Sequence, residues 1–383
     1  MKRVLPFSLI LLVVLSACTG TKKYYEQGDY ETAVFNSIER LRKTPDNKKS
    51  RETLKLAYPS MVEYLTDKIS KAKLSADPLR WEQVVADYAL LNRAYDEIQR
   101  SPGARQVVSD ARSYQSEYNE ATLKAAESRY ALGLQRLAQG EQGDRESAKL
   151  AFEHFRKALE FRPNFRDAES KMLQSQDLAT LYIQIEPIPM HSRTLQLSNE
   201  FFENQMTEYI RSVQFSPFVR FYTAKEAGQR TREPDQIIRM VFDDFVVGQA
   251  YVKETIAQRV QDSVIVGTVN IGEDSVVNVY GTVKAEVHQF QKEITSGGLL
   301  DFRIIDARTG TLLSQRKFPG TFVWTDRWGY FNGDERALTQ DDKRFTTKRR
   351  ESPNPLPQDL FIEFTKPIYS QVTGFVGEYY RNY

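Results

Sequence analysis

The stretch from Trp324 to Arg336 contains the side chains best suited to chemistry. Two of the three tryptophans of the chain fall in it, beside carboxylates and arginines. A pair of carboxyl groups can act as acid and base in glycoside hydrolysis, while aromatic and arginine side chains dominate binding hot spots. The candidate acid and base residues are Asp326, Asp334 and Glu335, and the candidate partner-binding residues are Trp324, Asp326, Trp328, Asp334 and Arg336.

The density of charged residues in this stretch predicts a long loop. The loop could fold over a sheet edge, with its rings buried and its charges paired. It could instead bind a protein partner or a glycan such as peptidoglycan, because surface loops often carry binding residues. The sequence favours the first alternative, then binding, and catalysis least.

The remaining sequence offers little for an enzyme. His154, His191 and His288 are scattered, and none has a second zinc ligand at helical spacing. A nucleophile elbow of the Gly-x-Ser-x-Gly type and a phosphate-binding loop are both missing from the sequence. We therefore predict no catalytic residue, no metal and no cofactor. The formal net charge of +2 predicts no nucleic-acid partner.

The single cysteine, Cys18, follows a short apolar run. Lys2 and Arg3 precede that run, which extends from Val4 to Leu15 and would span only about 18 Å as a helix. Because a bilayer core needs about 20 apolar residues, the run is too short to cross comfortably. A basic start, a short apolar centre and small residues before the cut are typical of a secretory signal peptide.

The order Leu15-Ser16-Ala17-Cys18 resembles the lipobox of bacterial lipoproteins. The resemblance implies that residues 1–17 are removed and that residues 18–21 form a lipidated N-terminus, with acyl chains such as palmitate on Cys18. Thr19 and Gly20 lack the aspartate that retains lipoproteins at the inner membrane, so the resemblance implies the outer membrane and its periplasmic face. The alternative is an ordinary signal peptide cut nearby, which would leave an unpaired thiol.

Residues 22–180 have a helical period and predict an array of helical hairpins. Two stretches resemble the tetratricopeptide repeat, a helical-hairpin family. The second departs from the family, because the excess length between its helices falls at the turn from Gly140 to Asp144. The resemblance implies a concave surface that docks a partner; the alternative is a spacer between lipid and C-terminal domain. The repeat-signature residues are Tyr24, Gly28, Tyr30, Ala33 and Pro45, then Gly133, Ala151, Phe155, Ala158 and Pro163.

Residues 181–383 predict an α+β domain with an antiparallel sheet and a C-terminal helix. Leu181, Ile183 and Ile185 alternate with polar residues, as a strand does. We expect a helix from Pro234 through Met240, and a long strand in which every second residue from Val277 is small and apolar. We expect that strand to turn at residues 296–298, and the tail from Asp359 to be helical.

The segment 301–313 resembles a hairpin of the curli-export lipoprotein and of lipoproteins that activate penicillin-binding proteins. That resemblance implies an envelope assembly or regulatory role without catalysis. The fold class expected for the whole chain is α+β, with a helical-hairpin array followed by a mixed α+β sheet domain. The expected function is a lipid-anchored, non-catalytic scaffold that binds unidentified envelope proteins, and the alternative is a cell-wall or carbohydrate-binding lipoprotein that uses the stretch from Trp324 to Arg336.

Overall fold

The computed structural model describes residues 21–189, 198–213, 215–228, 232–271, 276–381 and 383. Cys18, His191 and the predicted signal peptide lie outside these residues. A helical N-terminal half is followed by a mixed parallel and antiparallel sheet. The expected α+β class is therefore confirmed. The chain divides into two compact units, the first ending at Ala179 and the second beginning at Thr180.

The first unit consists of helices packed as antiparallel neighbours around apolar stripes. One cluster of buried side chains runs from Ala33 to Ala125, and a second runs from Ala126 to Ala168. The helices are α1 (Thr21–Glu26), α2 (Tyr30–Lys43), α3 (Lys48–Leu74), α4 (Arg80–Arg100), α5 (Pro102–Val107), α6 (Gln115–Glu141), α7 (Arg145–Phe161) and α8 (Ala168–Ala179).

The repeat-signature residues lie where helices turn or approach closely. Gly28 has φ +79° in the turn between α1 and α2, where a side chain would be strained. Asp29 then caps α2 by accepting a hydrogen bond from the Thr32 N–H at 3.0 Å. A Cβ on Gly133 would lie 2.7 Å from the Phe155 ring, so α6 and α7 touch at this glycine. Membership in the tetratricopeptide family stays a prediction.

The second unit is built on one long strand, β5. Its strands and helices are β1 (Leu181–Ile185), α9 (Glu200–Ser212), β2 (Val219–Thr223), α10 (Ala224–Ala227), β3 (Gln236–Val247), β4 (Tyr251–Asn270), β5 (Val276–Asp306), β6 (Leu312–Gly333), α11 (Gln340–Thr347) and α12 (Pro357–Tyr380).

β5 has neighbours along both edges. β3 pairs antiparallel with its residues 296–306 and β4 with its residues 276–293, while β6 pairs with residues 285–305. Because each residue of a strand has one neighbour on either side, β3 and β4 follow each other along one edge and β6 occupies the other. β1 lies parallel to both β2 and β3 and extends the sheet beyond β3.

Three local expectations were wrong. Residues 236–247 form strand β3 and not a helix, because Ile238, Met240 and Phe242 alternate into the core. β5 continues through residues 296–298 without turning, since β3 and β6 hold that stretch from both sides. The predicted loop from Trp324 to Arg336 is strand β6 as far as Gly333.

Helix α12 covers one face of this sheet. Its buried stripe includes Phe361, Phe364, Ile368 and Phe375, as the sequence period predicts. The Phe375 ring meets the ring of Phe302 on β5 edge to face, with centroids 5.5 Å apart. The expected C-terminal helix therefore supplies about a third of the main buried cluster of the second unit.

Gly320 on β6 sets how closely α12 approaches the sheet. A Cβ at this position would lie 2.4 Å from the Phe364 carbonyl oxygen and 2.7 Å from the Ile368 side chain. Gly320→Ala should therefore lower the free energy of unfolding by about 1–3 kcal/mol through overpacking. Gly374→Ala on α12 is the matched control, because nothing lies within 4 Å of its Cβ position.

Denaturant unfolding of the full chain, followed by tryptophan fluorescence, measures the difference between the two variants. The control should be neutral or stabilising by about 0.5–1 kcal/mol, since alanine is favoured over glycine inside a helix. Equal stability of the two variants would show that Gly320 does not set the approach of α12.

Candidate functional site

The predicted partner-binding residues on β6 share one face of the sheet. Trp324, Asp326 and Trp328 are two residues apart along a strand, so their side chains point the same way. The Trp328 ring stacks on the Phe290 ring of β5, with centroids 5.4 Å apart and planes 8° apart. The Lys292 ammonium lies 5.7 Å from the centre of the Trp324 ring. Both tryptophans are half-buried.

The Asp326 carboxylate already accepts hydrogen bonds from residues that follow β6. Its carboxylate is buried and accepts hydrogen bonds from the Lys348 ammonium and, at 2.6 Å, from the Ser352 N–H. Burial by itself raises the pKa of Asp326, but the bonds from Lys348 and Ser352 together lower it below its usual value of 3.8. A general acid for glycoside hydrolysis needs a raised pKa. Asp326 therefore fits a structural ion pair better than that role.

Asp334 and Arg336 form an ion pair at the end of β6. The Arg336 guanidinium donates to both carboxylate oxygens of Asp334, and these bonds lower the pKa of Asp334 to about 2. Arg336 also donates to the carbonyl oxygen of Ile265 on β4 at 2.5 Å. These two predicted binding residues tie the end of β6 to β4, on the far side of β5.

The chain after β6 wraps around the edge of that strand. A 3-10 turn at Glu335–Ala337 leads to α11, where Asp342 accepts two bonds from the Arg259 guanidinium of β4, which lower the pKa of Asp342 to about 2. The Gly329 N–H then donates to the Lys348 carbonyl at 3.0 Å. Three of the five charged residues from Trp324 to Arg336 therefore form ion pairs, namely Asp326, Asp334 and Arg336. The segment that wraps around β6 begins where the predicted loop was expected to end.

β4 and β5 continue beyond the end of β6. The last pair between β5 and β6 joins Ala285 and Gly333. Beyond it β5 pairs with β4 alone, through residues 263–271 and 276–283, which we call the arm. Neither segment contains a charged residue. The large apolar residues exposed on the arm are Ile265, Val266, Val269, Ile271, Val276, Val277, Val279 and Tyr280.

The alternating valines of β5 continue from the buried part of the strand into the arm, so they do not show where the arm begins. Val283 and Val287 are 7% and 0% exposed and pack against Ala337 and Leu338. Val277, on the same face, is 48% exposed. Sequence reasoning identified the strand and its face, but not the exposed arm, because burial here depends on where β6 stops and the chain folds back.

The described histidines differ in their surroundings. Burial, then the Arg129 guanidinium, lowers the pKa of His154. His288 on β5 binds Glu254 of β4 through Nδ1 at 2.8 Å and Glu286 through Nε2 at 3.0 Å. The bond to Glu254 is the main cause of a raised pKa for His288. Among the described residues, acidic, histidine and cysteine side chains form no cluster that could hold a metal.

Comparison with known proteins adds little. No protein-family model matches the chain, and no characterised protein matches it significantly. One solved structure that it resembles is a neuraminyllactose-binding hemagglutinin homologue from Helicobacter pylori, at 8% identity and a TM-score of 0.24, over 52% of this chain and 84% of the other. A likeness that weak carries no argument. Within the described part of the chain, no helix combines the length and apolarity needed to cross a bilayer.

The environment of His288 predicts a pH dependence with a definite sign. A raised folded-state pKa stabilises the fold below the unfolded value, near 6.5, and that contribution is lost as pH rises through the folded-state pKa. NMR titration of the full chain with labelled histidine should show the His288 imidazole titrating above 6.5. His288→Gln should remove that signal and the matching pH dependence of unfolding.

His154 provides the internal control for the titration, because its pKa should lie below 6.5 in the same sample. A His288 signal that titrates at or below 6.5 would contradict the ion pairs with Glu254 and Glu286.

Proposed function

We propose that this chain is a lipid-anchored, non-catalytic lipoprotein of the bacterial cell envelope that acts as a scaffold in assembly, secretion or regulation. The proposal of an anchor rests on the lipobox-like sequence ending at Cys18. The proposal of a non-catalytic role is supported by Asp326 and Asp334, whose carboxylates are held in ion pairs with lowered pKa values.

The observation that carries the scaffold role is the arm. Soluble monomers seldom expose a continuous apolar patch without using it for binding. Here such side chains follow one another along both strands of the arm, from Ile265 to Ile271 and from Val276 to Tyr280. The two strands of the arm are exposed and carry no charged residue, so they are suited to contact another surface.

The helical unit is proposed as a second contact surface. Its large exposed apolar residues, such as Leu56, Leu134 and Leu173, lie singly on different helices. Scattered residues of this kind are ordinary on a protein surface. Docking by the helices would therefore depend on polar contacts and shape, whereas the arm offers a continuous apolar surface.

Fractionation and crosslinking in intact bacteria test the proposal. The wild-type chain should incorporate labelled fatty acid, sediment with membranes and crosslink to envelope proteins other than itself. Cys18→Ala should lose the label and the membrane association, and the folded chain should be released. Unchanged membrane association without a lipid label would contradict the anchor, and crosslinks to soluble metabolic enzymes alone would contradict the scaffold role.

A further inference from the structure

The arm presents two free strand edges. Within the described residues, the outer edge of 263–271 on β4 and the outer edge of 276–283 on β5 pair with no other strand. Every second residue of an edge strand leaves its N–H and C=O groups without a partner in the sheet. Arg336 occupies the Ile265 carbonyl at the root of the arm, so the open stretch begins just beyond it.

The other long edges of the sheet carry features that discourage strand pairing. The edge of β6 includes Lys317 and Pro319, and the Lys348 carbonyl covers it at Gly329. The root of β4 carries Lys253, Glu254 and Arg259. Charges and proline on an edge strand prevent unwanted pairing. The arm has neither, and the two β-bulges of β4, between Gln261 and Val264 and between Ile265 and Gly267, lie at its root. Among the long strand edges that the structure describes, those of the arm are therefore the ones open to another strand.

The two open edges also fit each other. They run antiparallel over residues 266–271 and 276–283, and except for Tyr280 their side chains are small, β-branched or asparagine. Asp262 lies at the foot of the β4 edge and Lys284 at the foot of the β5 edge, and both are exposed. If copies stand side by side in the same orientation, Asp262 of one copy lies level with the region of Lys284 in the next, and opposite charges across strands attract.

We propose that the occupant of the arm is a second copy of this chain, whose open β4 edge (266–271) pairs antiparallel with the β5 edge (276–283) of its neighbour. This inference rests on the arm surface used in the proposed function. A hairpin of two strands is only marginally stable in water, and a third and fourth strand stabilise it. The valine faces of adjacent arms, with Val269 beside Val277, then form one continuous apolar surface.

The contact joins two different edges, so it is heterologous. Each copy that binds through β4 leaves its own β5 edge free for another copy. Paired edges also explain why an uncharged, β-branched segment with both faces exposed is tolerated, since unpaired it would promote uncontrolled aggregation.

Disulfide trapping in the full-length protein tests the pairing. Cys18→Ser removes the native cysteine, and Val269→Cys or Val277→Cys is then introduced singly. Oxidation of a mixture of the two variants should give a disulfide-linked heterodimer, at least tenfold more abundant than either homodimer. Val323→Cys on β6, which is similarly exposed, is mixed with Val277→Cys as the matched control and should give little product.

Sedimentation velocity supplies a reading that does not depend on cysteine. The Cys18→Ser chain should associate as its concentration rises, and Val269→Lys should raise the apparent dissociation constant at least tenfold while leaving the unfolding transition in place. A charged side chain on an edge strand blocks pairing.

Three results would overturn the inference. A monomer at all concentrations with no heterodimer would show that copies do not pair. Homodimers of Val269→Cys in excess would indicate a twofold contact between β4 edges. A monomer that floats with phosphatidylethanolamine and phosphatidylglycerol vesicles through the arm would identify a lipid surface as the occupant. The first two results leave the anchor and crosslinking test above unaffected. In the third, the fatty-acid label on Cys18 separates the anchor from lipid binding through the arm, so the failure of either proposal can be told apart.

Discussion

The architecture of the second unit depends on the backbone pairing of β5. This strand is 31 residues long, and a buried strand must satisfy its N–H and C=O groups on both edges. β3 and β4 do so on one side and β6 on the other. Where β6 stops at Gly333, β5 loses one neighbour. The exposure of the arm is a direct consequence of that mismatch in strand length.

Ion pairs fix the place where β6 stops and the chain folds back. Asp334 and Arg336 link the end of β6 to the Ile265 carbonyl, and Asp342 binds Arg259 further down β4. Asp326 holds Lys348 and Ser352 as the chain passes around the sheet. The cluster that looked most like a site in the sequence therefore holds the end of β6 and the segment that follows it in place.

The helical parts of the fold could be predicted from sequence because their signals are local. The stripe of α12 and the turn at Gly28 follow from side-chain period and backbone freedom alone. The errors concern strands. Trp324, Asp326 and Trp328 alternate with a period of two, which was the signal for β6, but the charged residues of the stretch suggested a loop. The exposure of Val277 depends on a strand end more than fifty residues away, and no local pattern records it.

Hydrogen exchange of the arm amides tests the central claim most directly, because it reads the pairing of each edge residue. The full-length chain is compared at concentrations above and below its association, and residues 263–271 and 276–283 are followed by mass spectrometry. Pairing between copies predicts that the outward-facing amides of the arm gain protection as the concentration rises and exchange freely on dilution. Rapid exchange of the outward-facing amides at all concentrations would contradict it.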